Sequence, residues 1–325
     1  MKLSGLVEIT RTEPVISDAI ADCRSGRVAS LDITLTDAAR SLFTAALATG
    51  ADRTLLLVTS TYREAEASSA ALSSLLGEDA VAYYPAWETL PHERLSPRSD
   101  TVGRRLAVLR RLAGNDELPA PRVVVAPVRS VLQPQVRGLA ELRPVRIVSG
   151  GDYDIERLAR DLVDAAYLRV DLVERRGEFC VRGGLVDVFP PTLEHPVRVD
   201  FFGDAVEEIR PFAVADQRSF GDPLPEVVAS PCRELLITDD VRTRAAALAA
   251  TYANEPGNLG ELFARIADGH AVDGMEALAP ALVDALELLI DVMPADTQVL
   301  VSDPERVRTR AHELVATSEE FLAAS

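Results

Sequence analysis

The sequence predicts an α/β protein. Its parallel sheet is covered by helices and interrupted by a small α+β insert built on an antiparallel meander. Three observations predict it. In the first third, short apolar runs rich in β-branched residues alternate with amphipathic stretches, the pattern of a sheet buried on both faces. From Leu168 to Phe201, four short segments alternate apolar and polar residues, with glycines between them. After about Pro231 the helix-and-strand texture returns.

Arg53 to Ser60, RTLLLVTS, reads as a buried strand. Tyr62 to Leu76 follows as a helix, with Ala65, Ala71, Leu72, Leu75 and Leu76 apolar and Gly77 placed to end it. Val81 to Tyr84 is a short strand, and Pro85 to Pro97 a proline-rich loop. Thr101 to Leu112 is a helix with Val102, Leu106 and Leu109 on one face, and Arg122 to Pro127 a third buried strand. Beyond Pro134, Val145 to Val148 is a strand and Ile155 to Ala166 a helix. The four alternating segments are Leu168 to Val173, Glu178 to Arg182, Leu185 to Phe189 and Val197 to Phe201, with Gly177, Gly183–Gly184 and Gly203 at the turns. Arg242 to Ala253 and Leu259 to Ala267 read as helices, Gln298 to Val301 as a buried strand, and Pro304 to Ala316 as a helix with proline in its first turn. These shifts place domain boundaries at 1–134, 135–222 and 223–325, the last segment returning to the first.

The 325 residues are 47% hydrophobic, enough for a substantial core, and carry a net charge of −17. A duplex is a dense line of negative charge, so strong autonomous DNA binding by the whole chain is disfavoured. No apolar run approaches the ~20 residues of a membrane span, and the start has no secretory signal, which makes the cytosol the expected location and no membrane the expectation. Cys23, Cys180 and Cys232 are scattered, as are His92, His195, His270 and His312, so neither a disulfide framework nor a metal site is predicted. No GxSxG is present. Asp239–Asp240, Glu207–Glu208 and Glu319–Glu320 read as solvated charge, and His92 and Cys180 have no evident catalytic partners. The basic residues are almost all arginine, because Lys2 is the only lysine.

Several long motifs occur in order. Trp87-Glu-Thr-Leu-Pro-His-Glu-Arg-Leu-Ser-Pro97 is followed by Asp100 and Arg104-Arg105-Leu106. Arg176-Gly-Glu-Phe-Cys-Val-Arg-Gly-Gly-Leu-Val-Asp-Val-Phe-Pro190 precedes Pro196-Val-Arg-Val-Asp-Phe-Phe-Gly-Asp204. Asp216-Gln-Arg-Ser219 and Val272-Asp-Gly-Met-Glu-Ala277 complete the set. Along essentially the whole chain, these resemble the amino-terminal region of bacterial transcription-repair coupling factors (Mfd proteins), most closely the actinobacterial ones. The resemblance implies a degenerate RecA-like/UvrB domain 1 with a UvrB domain-2-like insert: domain 1a at 1–134, the UvrA-binding domain 2 at 135–222 and domain 1b at 223–325. It also implies a longer parent protein, in which later domains bind RNA polymerase and translocate DNA with ATP.

A UvrB-like fold raises the question of a motor. A P-loop needs glycines to wrap phosphates, a lysine for the β/γ oxygens and a Ser/Thr for magnesium. The corresponding stretch, Val28 to Ala46, has neither glycine nor lysine. No catalytic residue, cofactor or metal is therefore expected.

In this family the insert binds UvrA, and the family's UvrA-contacting arginines map onto Arg169 and Arg182. Alternation puts Arg169 opposite Leu168, Val170 and Leu172, and Arg182 opposite Phe179 and Val181. A hairpin turning near Arg175, Arg176 and Gly177 would bring the two arginines nearly side by side, mildly unfavourable unless a carboxylate-bearing partner arrives. A further family arginine falls at Cys180, its place open to Arg175 or Arg176. Phe189 is a candidate apolar anchor whose direction strand parity leaves open. The competing reading pairs Arg169 and Arg182 with Asp171, Glu178 or Asp200 on a solvated sheet. A second basic stretch, Arg104 to Arg146, includes Arg104, Arg105 and Arg111 as a possible surface for DNA or an acidic domain, or simply a solvated helix face. Trp87 is expected to pin its loop to the core.

Three functional readings follow. The first is a non-catalytic docking module that recruits UvrA to stalled RNA polymerase for nucleotide excision repair. The alternative is a UvrB-like DNA-dependent ATPase or DNA-binding segment. A third, compatible with the first, is an intramolecular clamp in which other domains of the full-length protein cover the UvrA-binding face.

Overall fold

The computed structural model describes residues 3–26, 29–90, 93, 95–255 and 257–324. Lys2, Val28 and, within the proline-rich loop, Pro91, His92 and Arg94 lie outside the described residues. In chain order the elements are α1 (Ser4–Thr12), α2 (Pro14–Ser25), α3 (Asp37–Ala51), β1 (Leu55–Thr59), α4 (Tyr62–Leu76), β2 (Val81–Tyr83), α5 (Ser99–Leu112), β3 (Val123–Pro127), α6 (Val128–Leu132), β4 (Gln135–Val136), β5 (Val145–Val148) and α7 (Ile155–Asp164). They continue with β6 (Leu168–Arg169), β7 (Glu178–Arg182), β8 (Leu185–Val188), β9 (Val197–Phe202), β10 (Ala205–Pro211), β11 (Glu226–Ala229), α8 (Asp239–Thr251), α9 (Leu259–Ala267), α10 (Ala279–Leu282), β12 (Leu286–Glu287), α11 (Leu289–Val292), β13 (Gln298–Val301) and α12 (Pro304–Ala324). None of the described helices is long and apolar enough to cross a membrane.

The chain divides into two compact units. The first comprises Met1–Ala86, Ala107–Pro134 and Glu287–Ser325, the second Trp87–Leu106 and Gln135–Leu286. Residues 223–286 thus cluster with the insert, and only those from 287 onward with the first unit.

The first unit holds a parallel four-stranded sheet in the order β13-β1-β3-β2. β1 and β3, LLLVT and VVVAP, are buried along their whole length, which is why they read as unbroken apolar runs. Leu57 is level with Val125 on one side and Leu300 on the other, so β13 returns the end of the chain to the first sheet. Leu55, Leu57, Val123 and Val125 pack with Phe43, Leu47 and Leu72 of the flanking helices. Each such burial contributes roughly 1.5–3 kcal/mol. The hydroxyl of Thr61 caps α4 by accepting from the backbone N–H of Glu64 at 3.3 Å. α1, α2 and α3 have no counterpart in the sequence reading. α3 occupies most of the stretch where a P-loop was sought.

In the second unit a five-stranded sheet runs in the order β10-β9-β8-β7-β6. Its apolar face, with Phe179, Val186, Val188, Val197, Val199 and Ile209, packs on Leu158 and Leu162 of α7. α7 is capped by Asp154, whose Oδ1 accepts from the N–H groups of Glu156 and Arg157 at 2.8 and 3.0 Å. The antiparallel pair β5/β11 joins the same core through Ile147 and Val227. α8 and α9 build a separate core around Ala245, Phe263, Ile266 and Met275.

Two expectations about the meander are corrected. β10 is a further strand. A register shift between Val206 and Glu208 breaks its period-two alternation, which hides it in the sequence. β6 is only two residues long and runs parallel to β7, level with Glu178 and Phe179. The expected hairpin between Leu168–Val173 and β7 does not form. Leu168 N donates to Gly177 O and Val170 N to Phe179 O, and the chain then leaves the ladder. The cause is local. Val173 is fully buried against Cys180, Phe189 and Phe212, which draws the chain across the face of the sheet. The Glu178 carboxylate accepts from the N–H groups of Glu174 and Arg175, both at 2.8 Å, and folds 174–178 into its own turn.

Candidate docking site

The sheet of the second unit has one apolar and one charged face. Antiparallel register places Cys180 beside Asp187 and Asp187 beside Arg198, with Arg182, Leu185 and Asp200 one pair along on the same face. Asp187, 1% exposed at its side chain, is the centre of this face. Its Oδ1 accepts from Arg198 Nε at 2.8 Å, and its Oδ2 accepts from Arg198 Nη2 at 2.9 Å and Arg182 Nη2 at 2.6 Å. Arg198 is further fixed by donating to Gln217 O at 3.1 Å and by lying 4.8 Å from the Phe212 ring centroid. The hydrogen bond to Asp187 raises the Arg198 pKa. Asp200 has a raised pKa, chiefly through burial and then through Glu208, Asp187 and Glu207, with Arg198 opposing.

The two arginines singled out from the sequence do not stand side by side. Arg182 is exposed on the charged face, its side chain 44% accessible, and pairs with Asp187 instead of Asp171, Glu178 or Asp200. Arg169 is level with Phe179 and therefore belongs to the opposite, α7-facing side. There it borders a groove with Ile155, Ala159, Val163, Phe179 and Val181. Arg169 is exposed and makes no hydrogen bond or ion pair with another described residue. Both arginines sit at the β6–β7 margin of the sheet, one on each face.

The auxiliary residues divide. Arg175 is exposed. Arg176 is half-buried, donates through Nε to Leu193 O at 3.0 Å, and covers the Phe189 ring at 5.0 Å. Phe189 is 5% exposed and packs with Val173, Cys180 and Phe212, so it serves the interior and offers little surface to a partner. Cys180, at the place of the further family arginine, is buried, and burial raises its pKa.

The proposed basic surface of Arg104, Arg105 and Arg111 is corrected. Only Arg104 is exposed. Arg105 is 0% exposed and ion-paired through Nε to Glu234, with Gln135 Oε1 accepting from Nη2 at 3.2 Å. Arg111 is buried and donates to the carbonyls of Asp79 and Pro119. Helical spacing placed these side chains but said nothing about what covers them. Arg146 pairs with Glu226. Trp87 is buried, and its Nε1 donates to Glu234 Oε1 at 3.1 Å, which pins the start of its loop. Asp239–Asp240 lie in the first turn of α8, where negative charge suits the helix dipole.

Among the described residues no group of three His, Cys, Asp or Glu side chains is arranged to hold a metal ion. Burial pushes the Cys232 thiol to about 12, far from a reactive thiolate. Sequence reasoning missed Asp187 and Arg198. Both stand in the quoted motifs, and the signal was the alternation that puts them on the face of Arg182.

The comparisons with known proteins bear on this sheet directly. Residues 145–234 match the family model described as the UvrB interaction domain, a span that runs from β5 past β11. Over 99% of its length the chain is 48% identical to a transcription-repair-coupling factor of Mycobacterium tuberculosis, covering 27% of that protein. It is 37% identical, over 74% of its length, to the Myxococcus xanthus protein of the same name, covering 21% of it. For Bacillus subtilis the identity is 29% over 89% of the chain and 25% of the relative. The chain thus spans about a quarter of the length of these curated relatives.

Proposed function

This chain is homologous along its length to one part of the transcription-repair-coupling factors, and from that premise we propose that it is a non-catalytic docking module recruiting UvrA to a stalled RNA polymerase for transcription-coupled nucleotide excision repair. The observation that carries the reading is the coincidence of the UvrB interaction domain match with the charged sheet, whose outer margin exposes Arg169 on one face and Arg182 on the other. Guanidinium groups bind carboxylates bidentately and recur as interface hot spots. Their placement calls for an acidic partner surface that grips the β6–β7 margin from both sides. The groove beside Arg169 mixes apolar lining from Ala159, Val163 and Phe179 with the charged Glu156, Arg160 and Asp164.

The non-catalytic part of the reading is supported at the start of the chain. No glycine lies between Gly26 and Gly50, and no lysine follows Lys2. The first turn of α3 carries Asp37 where a P-loop helix would receive phosphate. An acidic side chain there competes for the helix N-terminus and repels the ligand. Contacts with RNA polymerase and DNA are assigned to the three quarters of the relatives outside this chain.

Leu168 and Phe202, 63% and 77% exposed, flank the charged face of the sheet. They support the intramolecular clamp: in the full-length protein another domain covers this face until UvrA arrives. Calorimetric titration of the chain and of the full-length protein into UvrA tests both statements. The reading expects saturable binding by the chain and weaker binding by the full-length protein. No binding by the chain would refute docking, and equal affinities would refute the clamp.

A further inference from the structure

We propose that Asp187 is a positioning residue for partner docking: buried in the sheet and anchored by Arg198, it holds the exposed Arg182 in its binding orientation. The inference rests on the docking role of Arg182. It concerns a residue that touches no partner itself.

Three charged groups share one small site. Asp187 is almost wholly inaccessible, Arg198 is 16% exposed, and Arg182 is 44% exposed. Arg198 supplies two of the three hydrogen bonds to the carboxylate, in a bidentate pair that already compensates its charge. Asp200, one pair along on the same face, adds a second carboxylate near Arg198. The Arg198 end is closed: its Nη1 is taken by Gln217 O and its plane lies on Phe212. Arg182, with a single contact to Asp187, is therefore the guanidinium left facing outward.

The geometry also restrains Arg182. It stands one pair along from Asp187 on the adjacent strand, a diagonal that a long side chain can bridge. One Nη2 contact at 2.6 Å tethers the guanidinium while no other described residue accepts from it. A free arginine on a strand samples many rotamers and loses them on binding. A tethered one has lost them beforehand, which favours association. The anchor is itself braced. Gln217, in the left-handed region at φ +60°, donates through Nε2 to Val214 O at 2.9 Å and Val173 O at 3.3 Å, so the carbonyl that receives Arg198 is fixed.

A double-mutant cycle tests this. Native chain, Arg182→Ala, Asp187→Asn and the double variant are titrated into UvrA by calorimetry, with thermal melts as the check of folding. Arg182→Ala is expected to weaken binding about tenfold or more, and Asp187→Asn about five- to tenfold. In the Arg182→Ala background the Asp187 change is expected to cost less than about twofold, because the group it positions is gone. Asp187→Glu keeps the charge beside Arg198 while displacing the carboxylate by one methylene, and supplies the same cycle if the Asn variant does not fold. Losses that simply multiply in the double variant would make Asp187 a structural residue and overturn the proposal. So would unchanged affinity in Asp187→Asn. Native binding that ignores Arg182→Ala would overturn the assignment of Arg182 as well, and a native chain that fails to bind UvrA would overturn docking altogether.

Discussion

Arg105 and Glu234 form a buried ion pair, 0% and 1% exposed at their side chains, with Trp87 donating to the same carboxylate. Removing either partner strands a charge in the interior, at a cost of about 3–5 kcal/mol, whereas replacing both with apolar groups of similar volume is often close to neutral. Urea denaturation should therefore show Arg105→Ala far less stable than the native chain, with Arg105→Met/Glu234→Leu recovering most of the loss. Glu276 is a further buried carboxylate. Burial raises its pKa, against Arg233 and the Ser96 hydroxyl, which donates to it at 2.7 Å. A folded pKa above the unfolded value means that the folded state holds the proton longer. The stability from this group is complete below the unfolded carboxylate pKa and falls as pH rises through the folded one. Glu276→Gln should flatten that decline in a urea midpoint measured against pH, and a decline of unchanged slope would refute the assignment. At this scale the sequence was a partial guide. Seven-residue spacing suggested one shared helix face for Arg104 and Arg111, yet Arg104 is exposed and Arg111 buried; what a guanidinium meets depends on distant residues, Glu234 for Arg105 and the Asp79 carbonyl for Arg111.

At the scale of elements, strand patterns were legible where burial is uniform and illegible where it is not. β1 and β3 are buried at every position and β9 alternates, whereas β7 buries both Phe179 and Cys180, and β8 buries Val186, Asp187 and Val188 in a row. β10 carries a bulge. β6 looked like a hairpin partner because Leu168, Val170 and Leu172 alternate. In the fold Leu168 and Leu172 are exposed, while Val173 breaks step to enter the cluster around Phe189. That single departure moved Arg169 to the opposite face from Arg182. The packing of α5 supplies an independent test. A Cβ added to Gly103 would lie 2.5 Å from Pro191 Cβ, part of a ring that cannot rotate away. Gly103→Ala should cost about 1–3 kcal/mol in the urea midpoint, as overpacking does. A neutral result would show that the contact yields.

For the whole molecule, the α/β class, the return of the last strand to the first sheet and the embedded meander were all readable from periodicity, because each follows from one buried face. The helices α1 to α3 were not. α1 and α2 span only 9 and 12 residues, and α3 is dominated by small alanines that mark no period. The absence of a P-loop was legible because the chemistry demands particular residue types. Equilibrium dialysis with ATP and magnesium is expected to show no saturable binding by this chain, and binding in the micromolar range would revive the ATPase reading. Docking at the β6–β7 margin is the step on which the function turns. Calorimetric titration into UvrA of the native chain beside the Arg169→Glu/Arg182→Glu variant, with circular dichroism confirming that both are folded, tests it most directly. Saturable binding by the native chain, and none detectable by the variant, is the expected result. Equal binding by the two folded proteins would contradict it.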